Sequence, residues 1–392
     1  MIPQGLPYDI FISNGQVSDA ALLNFPGRPS ASLEHEKVSR QLEGQTILVT
    51  GAAGSIGSEI CRQVARFRPA ALIGYDIAES PLVQLGLEMD RNFPETNFRV
   101  EIGSVQHAVR LQEVFQRYRP SVVYHAAAYK HVPLMESHLF EAVENNVLGT
   151  LNVVETSQMF GVTAFVMISS DKAVRPASVM GVTKRLSEVV VRSLCPEGQV
   201  YVSVRLGNVL GSNGSVTKIF SEQIARGGPI TITHPDMERF FMTIPEASEL
   251  ILQASAMGKD SEIFVVDMGE PVNIVDLARN LICLSGLRPD EDIRIVYTGA
   301  HAGEKLSEEL SEGACTLRPT IHDRIKVLVD SVVPRAEMHE CLARLRTLCT
   351  ERKRAELLSE LMHAVPEYRP SSKLLCGVHS DVDALMAAAE TA

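Results

Sequence analysis

The feature that most constrains the fold is an alternation of short β-branched runs with stretches of helical periodicity, beginning at residue 45. Strands that alternate with helices form βαβ units, so this pattern predicts a parallel sheet covered by helices on both faces. Between the runs, apolar residues at helical spacing predict helices, including one over about 139–160 and one that follows Val179. The predicted strands are 46–50, 71–76, 98–102, 121–125, 164–169 and 202–205.

A glycine-rich loop follows the first predicted strand, with glycines at positions 51, 54 and 57. Glycine permits a tight turn there, and backbone N–H groups at the start of the next helix can bind a pyrophosphate. Asp76 ends the second predicted strand, where an acidic side chain binds the adenosine ribose and repels a 2′-phosphate. The pattern therefore predicts NAD as cofactor. The predicted fold class is α/β: a Rossmann-type doubly wound parallel sheet with a smaller C-terminal substrate-binding region.

Changes in pattern divide the chain into four predicted regions. They are an N-terminal arm with one short helix (1–44), an NAD-binding Rossmann domain (45–210), a substrate-binding region (211–330) and a C-terminal helical extension (331–392). A strand near 262–266 is expected to return from the third region to the main sheet. Amphipathic helices are expected at 335–349 and 354–364 of the extension.

Composition excludes several classes of protein. The net charge is −11 and no block of basic residues is present, so nucleic acid is not an expected partner. The seven cysteines are scattered without a C-x-x-C pair, which favours reduced thiols over a disulfide framework or a zinc site, and no metal is predicted. No apolar run approaches the roughly 18–20 residues of a membrane span. These observations predict a soluble, cytoplasmic protein.

The residues that follow the fifth predicted strand are the candidates for catalysis. Ser170, Asp171 and Lys172 emerge at its carboxyl end, where open parallel sheets bind their ligands. Met180 and Lys184 follow one helical turn apart, on the same face of a predicted helix. In dehydrogenases with a Tyr-x-x-x-Lys motif, the tyrosine exchanges a proton with the substrate, which methionine cannot do. Acid–base chemistry is therefore expected from the residues at 170–172.

Together with motifs further along, these residues resemble the nucleotide-sugar 4,6-dehydratases of the capsular-polysaccharide type, in the extended short-chain dehydrogenase/reductase superfamily. The resemblance is to UDP-N-acetylglucosamine 4,6-dehydratases in particular, and it runs from about Leu42 to Leu310. In that family, methionine at the position of Met180 is associated with retention of configuration at C5, and tyrosine with inversion. The landmarks are His125-Ala126-Ala127-Ala128-Tyr129-Lys130-His131, Asn146-Val147-Leu148-Gly149-Thr150, Ser170-Asp171-Lys172-Ala173-Val174, Arg205-Leu206-Gly207-Asn208-Val209 and Gly303-Glu304-Lys305-Leu306.

The resemblance implies a sequence of chemical steps. NAD takes hydride from C4 of the sugar, and the resulting ketone acidifies the proton at C5. Lys172 removes that proton, while Asp171 in its protonated form donates to the departing C6 hydroxyl. Hydride then returns to C6 and forms a methyl group. Whether Ser170 or Asp171 relays the proton of O4 stays open.

The resemblance also implies binding residues for the cofactor and for a UDP-sugar substrate, and a homo-oligomer. The expected cofactor residues are Gly51, Gly54, Ser55, Ile56, Gly57, Asp76, Ser104, Val105, Ala126, Ala127 and Lys184. The expected substrate residues are Lys130, His131, Asn208, Arg205, Arg239, His301 and Glu304.

Two departures from the family pattern bear on specificity. Ser104 stands where relatives have an aspartate that contacts adenine, and His301 stands where they have an arginine that clamps the pyrophosphate. Histidine cannot form the bidentate contact of a guanidinium, so the identity of the nucleotide sugar stays open. Two other functions also stay open: a nucleotide-sugar epimerase or oxidoreductase, and a non-catalytic Rossmann protein that binds a dinucleotide.

Overall fold

The computed structural model of the protein describes residues 12–13, 16–17, 35–311 and 317–376. Within them, nine strands form one sheet in the order β8-β9-β7-β6-β5-β4-β1-β2-β3. The strands are β1 (Thr46–Thr50), β2 (Ala71–Asp76), β3 (Phe98–Ile102), β4 (Val122–His125), β5 (Ala164–Ser170), β6 (Val200–Leu206), β7 (Ile263–Val266), β8 (Leu317–Pro319) and β9 (Ile325–Leu328).

The first seven strands are parallel to one another. At one edge, β9 runs antiparallel to β7, and β8 runs antiparallel to β9. From β1 the chain builds the sheet outward through β2 and β3, and then restarts on the other side with β4 and continues through β7. This reversal leaves a crevice at the carboxyl ends of β1 and β4, which is where such sheets bind their ligands. The predicted Rossmann-type α/β fold is confirmed.

Helices cover both faces of the sheet, as the alternating pattern predicts. They are α1 (His35–Leu42), α2 (Ser55–Ala65), α3 (Glu79–Asn92), α4 (Ala108–Tyr118), α5 (Val132–Ser137), α6 (Leu139–Ala142), α7 (Gly149–Met159), α8 (Val179–Ser193), α9 (Val216–Ala225), α10 (Ile244–Met257), α11 (Ile274–Leu284), α12 (Arg335–Thr350) and α13 (Arg354–Ala364). The short helix expected in the N-terminal arm is α1. Most of the arm before it, and the alanine-rich tail beyond residue 376, lie outside the described residues.

The central strands are largely apolar because successive side chains enter two different cores. Leu48 of β1 packs in a core with α4, α7, α8, α12 and α13 on one face. Its neighbours Ile47 and Val49 pack with α1, α2, α3 and α10 on the other face. In β5, Phe165 and Val166 divide in the same way. A sheet buried on both sides positions the loops at its carboxyl edge on a rigid base.

The long helix expected over 139–160 is interrupted by a wider turn. A π-helical segment, Val143–Leu148, joins α6 to α7 without a break in the helical path. Within it, Asn146 accepts a hydrogen bond from the Tyr129 N–H (2.8 Å) and donates one to Thr183 Oγ1 (3.1 Å). The π-turn thus connects the loop after β4 to α8. π-Helical segments of this kind are frequently found at functional sites.

The region beyond β6 has a separate small core formed around α9 and α11. Short strand pairings of two or three residues join the segments of this region to one another. Among them are Asn208–Val209 with Phe241–Met242 and Glu238–Arg239 with Val272–Asn273. The strand expected near 262–266 is β7, which returns to the main sheet beside β6. The boundaries of the four regions stay predictions. No helix among the described residues has the length and apolarity to cross a membrane.

Candidate active site

The glycine loop forms the first part of the site, at the carboxyl end of β1. Gly51 has a φ of +69°, in the left-handed region that favours glycine. A Cβ at Gly51 would lie 2.5 Å from the backbone nitrogen of Ala127, and a Cβ at Gly57 would lie 2.1 Å from the Gly51 oxygen. The loop therefore packs backbone against backbone, which leaves the start of α2 accessible for a phosphate group.

Asp76 holds this loop in place from the end of β2. Its carboxylate accepts hydrogen bonds from the N–H groups of Ala53 and Ala78, both at 2.9 Å. A carboxylate next to the glycine loop has the position and the chemistry expected for a contact with a ribose hydroxyl. The loop also borders a cleft of about 320 Å³, lined in part by Gly54, Ser55 and Asn213.

The remaining residues expected to bind the cofactor lie on neighbouring loops. Ser104 follows β3, and its Oγ accepts a hydrogen bond from the Gln106 N–H at 3.2 Å. Val105 is buried beside Gly149, where a Cβ would lie 2.8 Å from Val105 Cγ2. Ala126 and Ala127 follow β4 directly and approach Gly51, while Ile56 is half-buried in the first turn of α2.

Lys184 and Met180 lie together near the start of α8, which begins at Val179 and is capped by Ser178 Oγ accepting the Gly181 N–H. Both side chains are buried. Lys184 Nζ donates to the Ile168 carbonyl oxygen at 2.7 Å, and burial lowers the pKa of Lys184 to about 8 although Glu188 opposes the shift. The structure therefore places Lys184 below β5, with its ammonium directed toward the carboxyl end of that strand.

A cluster of charged and polar groups lies at the carboxyl end of β5, in the short 3₁₀ turn Asp171–Ala173. Lys172 Nζ is 2.9 Å from Asp171 Oδ1 and 3.0 Å from Asn208 Oδ1. Ser170 Oγ donates to the same Asp171 oxygen at 2.9 Å. Asp171 is fully buried and only 18% of the Lys172 side chain is exposed. This cluster brings together the three residues that the sequence predicts for acid–base chemistry.

Glu308 belongs to this cluster, although the sequence analysis did not select it. Its Oε1 lies 3.8 Å from Lys172 Nζ, and its side chain is 4% exposed. Burial raises the pKa of Glu308, while Lys172 lowers it and Asp171 raises it. Its position two residues beyond the Gly303-Glu304-Lys305-Leu306 motif is the only signal that could have selected it. Asn146 in the π-turn was also missed as a residue that orders the site.

Five of the seven expected substrate residues form two groups, while Asn208 contacts Lys172 in the charged cluster. Lys130 and His131 are exposed in the loop after β4, and the His131 ring packs against Gly214. Glu304 lies between Arg239 (Nη2 to Oε1, 3.6 Å) and His301 (Nδ1 to Oε2, 3.4 Å). The His301 side chain is about half exposed and Arg239 is buried.

Arg205 does not have the position expected for a substrate contact. Its side chain is fully buried, and its Nε and Nη2 donate to the two carboxylate oxygens of Glu188 at 2.8 and 2.7 Å. The expectation that Arg205 contacts an anion is therefore corrected. In β6 the residue faces α8, and its charge is neutralised inside the core.

The fold and this site define the class of protein, an extended short-chain dehydrogenase/reductase. The family described as "Polysaccharide biosynthesis protein" matches residues 47–329, and the chain belongs to this family. It is 50% identical over 298 residues to the probable polysaccharide biosynthesis protein EpsC of Bacillus subtilis, with 76% of this chain and 50% of the relative covered. It is 52% identical over 287 residues to the capsular polysaccharide biosynthesis protein CapD of Staphylococcus aureus, covering 72% of this chain and 48% of that relative.

The chain thus spans about half the length of those two relatives. It is also 32% identical over 277 residues to a UDP-glucose 4-epimerase of Rickettsia akari, covering 68% of this chain and 77% of that enzyme. Among solved structures, Pen from Bacillus thuringiensis has a TM-score of 0.67 at 30% identity, over 75% of this chain and 92% of that one.

A second solved structure has the same fold at lower identity. It is a double mutant of DesIV, the dTDP-glucose 4,6-dehydratase of Streptomyces venezuelae, with NAD and a ligand designated DAU bound. Its TM-score is 0.61 at 22% identity, over 68% of this chain and 88% of that one.

Proposed function

We propose that this protein is a nucleotide-sugar 4,6-dehydratase that converts UDP-N-acetylglucosamine to the UDP-4-keto-6-deoxy sugar, with retention at C5. The observation that carries this proposal is the Lys172 ammonium held between Asp171 and Asn208, in a chain that has a buried Met180 at the position of the usual tyrosine. Membership of the polysaccharide biosynthesis family supports a sugar substrate. A lysine–carboxylate pair at the end of β5 suits elimination, which needs both a base and an acid.

The residues at the glycine loop after β1 and at the end of β2 fit NAD. The close approach of Gly51 to Ala127 leaves no room for a side chain at this point of the loop, and the neighbouring Asp76 carboxylate would accept a hydrogen bond from a ribose hydroxyl. Lys184, buried below the crevice, is the candidate for the second ribose. NAD, when bound, supplies a hydride acceptor for C4 of the sugar and returns that hydride at C6.

Lys172 is the proposed base at C5, where it acts as the free amine after its ammonium proton has passed to solvent. Its Nζ is held by two oxygen acceptors, which fix the direction from which the nitrogen approaches a substrate. The proton of O4 can pass to Ser170 Oγ and from there to Asp171, since Ser170 already donates to Asp171 Oδ1 at 2.9 Å. In this assignment, the hydroxyl of Ser170 relays the proton to Asp171, and Asp171 then donates it to the departing C6 hydroxyl, which leaves as water.

Retention at C5 follows from the use of one group for both proton transfers. Lys172 removes the C5 proton and returns a proton to the same face of the sugar. Inversion would require a second proton donor on the opposite face. Met180, which is buried one turn before Lys184, has no proton to give.

The diphosphate of the substrate is proposed to bind between the two groups of basic residues. Lys130 and His131 lie on the loop after β4, and Arg239 lies on the ladder beyond β6. Partial burial lowers the pKa of His131, and Lys130 lowers it further, so the imidazole would bind as a neutral hydrogen-bond donor. Arg239 would supply the positive charge. Glu304 contacts both Arg239 and His301, which keeps His301 close to Arg239.

An epimerase is the second candidate, favoured by the 32% identity to a UDP-glucose 4-epimerase. Epimerisation at C4 needs a group that removes and returns the O4 proton, usually the tyrosine that Met180 replaces here. The charged cluster at Lys172 has no role in that reaction. The dehydratase therefore accounts for more of the site.

Proton NMR of the native protein with UDP-N-acetylglucosamine and NAD in deuterated water tests the proposal. We expect a new C6 methyl signal with deuterium at C5, and sugar-ring couplings that show an unchanged configuration there. A C4 epimer that keeps its C6 hydroxyl would favour the epimerase. An unchanged sugar would contradict the assigned substrate.

A further inference from the structure

A buried carboxylate outside the charged cluster, Glu136 of α5, joins segments that are far apart in the sequence. Its residue is only 8% exposed. Its Oε1 accepts a hydrogen bond from the Val179 N–H at 2.7 Å, and its Oε2 accepts one from Ser371 Oγ at 2.9 Å. Val179 is the first residue of α8, whereas Ser371 belongs to the C-terminal extension. The proposed reaction steps give this carboxylate no role.

A third segment packs directly against the same carboxylate. Gly303 has a φ of +74°, and a Cβ at this position would lie 2.8 Å from Glu136 Oε1 and 2.8 Å from Ser178 Cβ. Only glycine allows the backbone to come this close in this conformation. The same loop carries His301 and Glu304, two of the expected substrate residues. The carboxylate therefore lies where the start of α8 meets the loop that is expected to bind substrate.

The C-terminal segment 365–374 is bound along the same helix. Glu367 Oε1 accepts a hydrogen bond from Arg185 Nε of α8 at 3.0 Å, and the Arg369 N–H donates to the Pro176 carbonyl oxygen at 2.9 Å. Apolar residues of this segment pack in the same core as α8. The extension thus contacts α8 from its second turn to the residues that precede it.

The first turn of α8 depends on groups outside the helix, because its leading N–H groups have no partner within it. Ser178 Oγ accepts one of them, from Gly181, and Glu136 accepts another, from Val179. Met180 lies between these two anchored N–H groups. The position of the Glu136 carboxylate therefore sets the position of the turn that enters the active site.

We propose that Glu136 is a positioning residue for the reaction, which holds the start of α8 and the loop at Gly303 in one geometry, with the C-terminal segment as the third partner. This inference rests on the proposed dehydratase function. The two hydrogen-bond donors, Val179 N–H and Ser371 Oγ, are neutral. The role therefore requires polar atoms at the end of a side chain of this length, and it does not require the negative charge.

Glu136→Asp and Glu136→Gln separate length from charge. Aspartate keeps the charge but is shorter by one methylene group, so it cannot reach both partners. Glutamine keeps the length: its oxygen can accept the Val179 N–H, and its amide can donate to Ser371 Oγ. For C6 methyl product, we expect kcat/KM to fall about 10²-fold in Glu136→Asp, with kcat lowered and KM raised. In Glu136→Gln it should stay within about threefold of native.

The order of the two variants distinguishes the possible roles. If Glu136 acted as an acid, a base or a fixed charge, glutamine would be the more damaging substitution. If it only stabilised the fold, both variants would unfold more easily, and the folded protein would keep native kcat and KM. Chemical denaturation of each variant, measured beside its kinetics, tells these cases apart.

Hydrogen exchange on the full chain tests the same connection without turnover. Ser371→Ala removes the hydroxyl on the C-terminal side of Glu136. We expect amide exchange at 179–182 and at 301–306 to become at least about threefold faster, although both segments are distant in sequence from the substitution. Glu136→Asp should show the same pattern. Ser372→Ala is the matched control, since Ser372 is the next residue and is exposed.

The outcomes separate this proposal from the dehydratase function. An active native protein whose Glu136→Asp variant keeps native kcat/KM, or whose Glu136→Gln variant loses as much, would overturn the role of Glu136 alone. Native exchange at 179–182 and 301–306 in both Ser371→Ala and Glu136→Asp would overturn it as well. A native protein that forms no C6 methyl product, with the expected exchange in its variants, would contradict the dehydratase function and support the connection through Glu136.

Discussion

Two ends of the same crevice are built by opposite means. At the nucleotide end, formed by the loops after β1, β2 and β4, backbone atoms pack so closely that Gly51 and Gly57 have no room for a Cβ. At the catalytic end, formed by the turn after β5 and the segment around Glu308, three charged side chains are buried together. Adding an atom at the nucleotide end should therefore weaken NAD binding. Removing a charge or a proton at the catalytic end should stop the acid–base chemistry.

The largest effect is expected at the catalytic end. Lys172→Met keeps the apolar stem and removes the base, so kcat for dehydration should fall at least 10³-fold, which is about 4 kcal/mol in activation free energy. The measurement is methyl-product formation by NMR. Lys305→Met is a control, since Lys305 Nζ donates to a backbone carbonyl and has no proposed part in catalysis. Native kcat in Lys172→Met would contradict the assignment of Lys172 as the base at C5.

Arg205→Met should show that this charge supports the fold and does not bind substrate. It leaves Glu188 fully buried without its main partner, which should lower the free energy of unfolding by roughly 3 kcal/mol. Chemical denaturation measures the loss, and the double variant Arg205→Met/Glu188→Leu should recover part of it. A raised KM for the substrate with native stability would instead support the anion contact that the sequence predicted for Arg205.

Gly51→Ala tests the nucleotide end. The added Cβ would overlap the backbone of Ala126 and Ala127 at a positive φ, so the loop must shift and NAD affinity should fall about 10²-fold, close to 2.7 kcal/mol. Gly86→Ala in α3 is the control, because its Cβ would meet only Val100 Cγ1 at 3.4 Å. Calorimetric titration with NAD distinguishes the two variants. Equal affinities would mean that the loop tolerates the added atom.

The smallest effect is expected where the two ends meet, at His125. Burial and the nearby Lys184 lower the pKa of His125 to about 3, and its ring nitrogens bond Thr50 and Thr150 at 2.7 and 2.9 Å. The unfolded chain binds a proton at His125 below about pH 6.5, whereas the folded chain does so only near pH 3. Stability is therefore lost progressively as the pH falls from about 6.5 toward 3.

At about pH 5 this amounts to roughly 2 kcal/mol relative to pH 7. Urea denaturation at the two pH values measures the loss. His125→Asn lacks the titrating group and should lose correspondingly less over the same interval. An equal pH dependence in the native protein and the variant would show that His125 is not the group responsible.

The same contrast explains what the sequence could predict. The strands, the glycine loop, Asp76 and the cluster at 170–172 are short-range patterns in which spacing along the chain determines spacing in the fold. Lys184 and Met180 were placed correctly together for the same reason, since one helical turn separates them. Local periodicity was therefore sufficient for the fold class and for the positions of the glycine loop and Asp76 at the carboxyl ends of β1 and β2, while their role in cofactor binding stays a prediction.

The failures involve contacts between distant segments. Glu308 approaches Lys172 only after the chain has passed through the substrate-binding region, and no local pattern marks it. Arg205 was misassigned because periodicity does not show that Glu188 of α8 neutralises it inside the core. The π-turn at Val143–Leu148 was missed because the spacing of apolar residues does not distinguish a single wider turn from the α-helices on either side of it.

The central claim is that the two ends are separable, with one binding the cofactor and the other performing the acid–base chemistry. The most direct test is the dissociation constant of NAD for Lys172→Met, determined by titration on the preparation whose turnover has been measured. The account predicts the native dissociation constant in a variant that forms almost no C6 methyl product. A dissociation constant that rises in proportion to the loss of turnover would contradict it.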